Sequence, residues 1–140
     1  MTMREPNKAV RMATWVLRII LGLLVLEVGI TKLTGTAHTV DWFAAIGWGQ
    51  WFRYLTGLLD VAGAALLFVP RWARYGAIVI ACSVGTATAI TFTVLRHDPV
   101  WGSPAMKLVP LVLTLLAVVL AWLTRPVLSP ASEVVAATRQ

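Results

Sequence analysis

Four long apolar stretches, separated by short clusters of glycine, proline, tryptophan and charge, divide the chain. The first runs from Ala13 to Leu33, the second from about Phe52 to Val69, the third from Ala73 to about Leu95 and the fourth from about Ala105 to Leu123. At about 1.5 Å of helical rise per residue, each is long enough to cross a bilayer's hydrocarbon. Pro70-Arg71-Trp72 stops the second stretch, Arg96-His97-Asp98-Pro99 closes the third and Arg125-Pro126 ends the fourth. Pro110 falls in the first turns of the fourth, where a missing backbone N–H costs little; deeper in, it would kink the helix. The pattern predicts an all-α integral membrane four-helix bundle over residues 13–124, after a polar lead (1–12) and before a mobile tail (125–140).

The longest connection, Thr34 to Trp51, has few charges but is not featureless: it carries Gly35, Gly47, Gly49, Trp42, Trp48 and Trp51. Trp42, Phe43, Ala45 and Ile46 suit a short helix lying in the interface plane and stopped by Gly47. The same residues also suit a plain aromatic belt at the headgroup level.

Composition supports the membrane assignment. The 140 residues are 59% hydrophobic and 13% charged, against about 25% charged in an average soluble domain, and the mean hydropathy is +0.80. There is too little polar surface to solubilise a globule of this length, so lipid must take the apolar surface. The net charge of +6 does not mark a nucleic-acid binder, because the basic residues sit mostly at the ends of apolar runs, as anchors and topology signals. Arg4, Lys8, Arg11, Arg71, Arg74, Arg125 and Arg139 fall on the side of the termini, and Lys32, Arg53, Arg96 and Lys107 on the other. The positive-inside rule therefore places both termini in the cytoplasm. The basic start resembles a signal peptide, but Ala-Thr-Trp-Val offers no cleavage context and three more runs follow, so the first run reads as an uncleaved span.

Several chemistries find no support. Cys82 is the single cysteine, which excludes an internal disulfide and a CxxC redox motif. His38 and His97 belong to outer loops, near Asp41 and Asp98, and read as solvated residues; no metal site is expected. No glycine-rich phosphate loop, haem attachment motif or serine elbow is present.

What stands out is charge inside the spans: Arg18, Glu27 and Lys32 in the first and Asp60 in the second. An ionisable group at the centre of a membrane helix costs roughly 2.5–3.5 kcal/mol, so each needs a partner or a hydrated cavity. On a helical wheel Arg18, Gly22, Gly29 and Lys32 share one broad side, with Glu27 roughly opposite Arg18. By helical rise Glu27 is about 9 Å and Asp60 about 12 Å below the outer boundary. Lys32, Arg53 and Lys107 start near that boundary, and Thr88 and Thr91 enter from the third run at a similar level. Two readings compete for this outer-half cluster. Either the acids pair with the bases to fix helix register, or the cluster lines a wet pocket in which Glu27 or Asp60 serves as acid or base, or binds a polar head. Arg18, about 13 Å nearer the cytoplasm than Glu27, reads as a snorkelling interface residue. The hydroxyls of the third run are otherwise expected to bond their own helix carbonyls.

Arg18-x-x-x-Gly22, then Glu27-x-Gly29-x-x-Lys32-Leu33, then Gly57-Leu-Leu-Asp60-x-x-Gly63-Ala-Ala-Leu-Leu before a Pro-Arg turn, resemble the DoxX-like family of small four-helix membrane proteins. The likeness covers all four runs and is most specific in the first two; Asp60 stands where glutamate is frequent in the family. The resemblance implies a multi-pass protein of the bacterial inner membrane, associated with quinone-linked or other oxidoreductase systems. It carries Arg18, Glu27, Lys32 and Asp60 over as candidate functional residues. The chain has no redox centre of its own, so the implied cofactor is a bound quinone. The combined expectation is an outward-facing pocket for a quinone or another amphipathic ligand, lined by Glu27, Lys32, Asp60, Thr88, Thr91 and Lys107. The expected partners are the lipid bilayer and either a redox enzyme or further copies of the chain, with no nucleic acid. A membrane-embedded acid/base enzyme with Glu27 or Asp60 as catalyst, and a scaffold subunit, remain as alternatives.

Overall fold

The computed structural model describes residues 7–124, so the expected tail over 125–140 and the first half of the lead lie outside the described residues. Five helices make up the fold: α1 (Lys8–Thr34), α2 (Ala37–Ile46), α3 (Gln50–Phe68), α4 (Ala73–Thr93) and α5 (Pro104–Leu123). All but α2 are long and apolar enough to cross a membrane, and they match the four apolar runs with their ends moved by a few residues. No strand occurs among the described residues.

The long connection does contain a short helix, α2. α2 is ten residues long, about 15 Å and half a span. It ends where Gly47 enters the left-handed region at φ 79° and donates its N–H to the Ala44 carbonyl, a conformation that a Cβ would disfavour. Gly35, at φ 74°, ends α1 in the same way. Pro104 opens α5 at a position where its missing N–H is harmless.

The spans run antiparallel in the order α1, α3, α4, α5, with close contact at α1/α3, α3/α4 and α4/α5 and a much looser seam between α5 and α1. A core of Leu21, Val25, Leu67, Ile80, Ala117 and Leu120 runs through all four. A second cluster, at the end of the bundle that carries α2, holds Phe43 and Ile46 against Ile90, Leu95 and Trp101. Around both cores the bundle exposes large apolar side chains such as Leu23, Leu58, Val109 and Leu115. That exterior suits acyl chains, and the protein is a multi-pass membrane protein.

Candidate functional site

The site begins where α1 crosses α3. Gly29 and Gly57 face each other: a Cβ on Gly29 would lie 3.1 Å from the Gly57 carbonyl oxygen, and one on Gly57 only 2.9 Å from the Lys32 Cβ. With no side chain between them the backbones close up, and the residues one turn beyond each glycine, Lys32 and Asp60, come within reach. Their direction completes the approach. Cα–Cβ bonds tilt toward the N-terminus of their own helix, so in this antiparallel pair the two side chains lean toward each other.

Lys32 Nζ donates to Asp60 Oδ2 at 2.6 Å. Ser83 of α4 donates its hydroxyl to Asp60 Oδ1, also at 2.6 Å. Asp60 is fully buried and Lys32 nearly so, so a carboxylate with a donor on each oxygen ties three spans together. Lys32–Asp60 is one of the pairings that the first reading of the buried charges admits. Ser83 is the member that the sequence did not single out. Thr86, Thr88, Thr91 and Thr93 all bond carbonyls of their own helix, as expected, whereas Ser83 reaches across.

The arginines do something different from the expectation. Arg53 was a candidate partner for the acids; instead its guanidinium donates to the Lys32 carbonyl near the end of α1 and, at 2.7 Å, to Gln50 Oε1. Arg18 does not snorkel. It is buried, its Nε and Nη2 donate to the Leu67 carbonyl near the end of α3, and its guanidinium lies 4.3 Å from the Trp15 ring centroid. α1 and α3 thus each supply an arginine to the other's C-terminal carbonyls, which have no partner within their own helix and carry partial negative charge.

Glu27 stands apart. It is exposed on α1, forms no ion pair among the described residues, and does not meet Asp60, although the two lie at similar depth. Depth is set by position along the helix and partner choice by azimuth, and on the wheel Glu27 faces away from the glycine side that packs on α3. Lys107 lies over Phe92, with Nζ 5.9 Å from the ring centroid, and Thr88 shares a 2.9 Å hydroxyl contact with Thr114 of α5.

Beside the ion pair, in the loose seam between α1 and α5, lies a cavity of about 360 Å³. Lys32 and Thr91 belong to its wall; Glu27, Asp60, Thr88 and Lys107 do not. Its inner part is apolar, with Val25, Val84 and Leu113, and its outer part is closed by α2 through His38, Thr39 and Trp42. His38 packs edge-on against Trp101, with ring centroids 4.8 Å apart. His38 lies in the first turn of α2 rather than in a loop; it is exposed, as a solvated residue would be, and the fold-back of α2 brings it to the rim of the cavity. Met106 and Pro110 line the α5 wall, and Pro110 lacks the N–H that would have bonded the Met106 carbonyl. Among the described residues no three His, Cys, Asp or Glu side chains gather in a metal-binding arrangement.

A family model for DoxX matches residues 13–95, most of the chain and all of the Lys32–Asp60–Ser83 constellation. The chain belongs to the DoxX family. This DoxX protein is 26% identical over 97 residues to the Bacillus subtilis (strain 168) protein named "Putative oxidoreductase CatD", an overlap of 69% of this chain and 70% of that one. No solved structure matches it.

Proposed function

We propose that this DoxX protein is an inner-membrane component of a redox system that binds a quinone, or another amphipathic molecule of that kind, in the cavity between α1 and α5. The observation that carries this reading is the cavity's polarity gradient. A space of about 360 Å³ falls within the roughly 300–1,000 Å³ of small-molecule sites, and its donors stand at one end only. Lys32 keeps two N–H bonds beyond the one that it gives Asp60, and His38 adds an imidazole. Both suit the carbonyl oxygens of a quinone head, while Trp42 and Trp101 offer flat apolar surface to its ring. Any apolar tail would leave through the seam that α5 and α1 leave loose. A bound quinone would accept and release electrons and protons; the chain's own part is to orient the head and exclude water from it. Redox association is supported by the name of the Bacillus subtilis relative.

The test is a titration of the protein in nanodiscs with a short-chain quinone, read by quenching of tryptophan fluorescence. Saturable quenching is expected. Ala87→Phe, which fills the cavity from the α4 wall, is expected to weaken binding at least about tenfold, the loss of about 1.4 kcal/mol of contacts, whereas Glu27→Gln leaves it unchanged. Equal affinity in the Ala87 variant would sink the reading.

One observation favours a second role, that of a subunit in a membrane assembly. Glu27 presents a carboxyl group on the outside of a span, a position that a protein neighbour covers at lower cost than lipid does.

A further inference from the structure

At the opposite end of the bundle from the cavity, the turn between α3 and α4 brings Arg71, Trp72, Arg74 and Tyr75 together. The Trp72 and Tyr75 rings pack with centroids 5.7 Å apart and are both exposed, the behaviour of indole and phenol at the level of lipid headgroups. Arg74, in the first turn of α4, is half-buried and makes no ion pair among the described residues. Below it a groove of about 540 Å³ follows the α4/α5 contact. From Arg74 to Cys82 it descends about 12 Å toward the bilayer centre at 1.5 Å per residue. Its floor is made by Ala81 and Ala121, which pack on the core, and its rims by the exposed Ile78 and Trp122. The small floor residues are what make it a groove.

We propose that this groove is a binding site for an anionic phospholipid, one acyl chain lying along the Ala81–Ala121 floor and the headgroup phosphate pairing with Arg74. The order of chemistry along the groove matches that of the lipid: a cation at the headgroup level, then unbroken apolar wall below it. A guanidinium offers a phosphate two parallel N–H donors, and basic pockets between spans at a membrane surface are suited to anionic headgroups. The site is independent of the ligand cavity, with which it shares no residue.

Native mass spectrometry on protein released from nanodiscs of equal phosphatidylglycerol and phosphatidylcholine tests this. The protein is expected to retain one phospholipid, with phosphatidylglycerol preferred by about fivefold, the effect of one basic residue near the surface. Arg74→Gln is expected to abolish the preference, Arg74→Lys to keep part of it, and Arg71→Gln, at the exposed neighbour, to leave it intact. Ala121→Phe is expected to remove retained lipid of both kinds while the thermal transition persists. An unchanged preference in Arg74→Gln, or an equal loss in Arg71→Gln, would overturn the proposal in favour of diffuse surface charge. Retained lipid in Ala121→Phe, or a change there in oligomeric mass alone, would overturn it in favour of a protein neighbour.

Discussion

Asp60 carries a charge in the interior at the expense of two donors, so the effect of mutation depends on what is left behind. Lys32→Met leaves the carboxylate buried without its counter-ion and is expected to cost about 3–5 kcal/mol, whereas adding Asp60→Leu to it should restore most of the loss. Ser83→Ala removes one hydrogen bond to a charged group and is expected to cost about 1.5–3 kcal/mol. Thermal unfolding in detergent, followed by circular dichroism, orders the variants; a double variant no more stable than Lys32→Met would contradict the account. At this scale the sequence was legible in part. Lys32 with Asp60 was one of several admissible pairings, and only the Gly29/Gly57 crossing selects it. Arg18 and Arg53 were not legible, because their acceptors are backbone carbonyls, which every residue has and no side-chain pattern announces. Ser83 was hidden among hydroxyls that bond their own helix.

Between elements, glycine sets the distances. A Cβ on Gly76 would lie 2.6 Å from the Gly63 carbonyl oxygen and 2.9 Å from the Leu67 nitrogen, both backbone atoms that cannot turn aside. One on Gly22 would meet the tip of the Phe68 ring at 2.9 Å, and that exposed ring can swing into lipid. Gly76→Ala is therefore expected to destabilise by about 1–3 kcal/mol, the usual range for overpacking, and Gly22→Ala by much less. Comparing their thermal midpoints checks this, and equal midpoints would contradict it. The spans themselves were plain from uninterrupted hydrophobicity, and α2 was foreshadowed by Gly47. That α2 would close over a cavity was not legible, since its angle to the bundle depends on the packing of Phe43 and Ile46 on Trp101 and Ile90, contacts far apart in sequence.

For the whole molecule, the consequence of three tight contacts and one loose seam is a bundle open on one side, with polar groups at both ends and, among the described residues of the four spans, one exposed carboxyl group, that of Glu27. Glu27→Leu is expected to leave quinone affinity unchanged and to shift the protein from an assembled form to a smaller one in size-exclusion chromatography. An unaltered elution profile would remove the support that Glu27 lends to the subunit reading. The reciprocal arginines bear on how such a bundle is made. α1 is synthesised first, and Arg18 enters the membrane before its acceptor exists, because the Leu67 carbonyl lies 49 residues further on. Until α3 arrives, both charges weigh against a solitary α1, Arg18 by more than Lys32, with roughly 2.5–3.5 kcal/mol as the cost of a charge at the very centre of a span. The contacts of Arg18 and Lys32 are thus completed only when α3 packs on α1, and a chain interrupted before Leu67 leaves both without their acceptors' full arrangement.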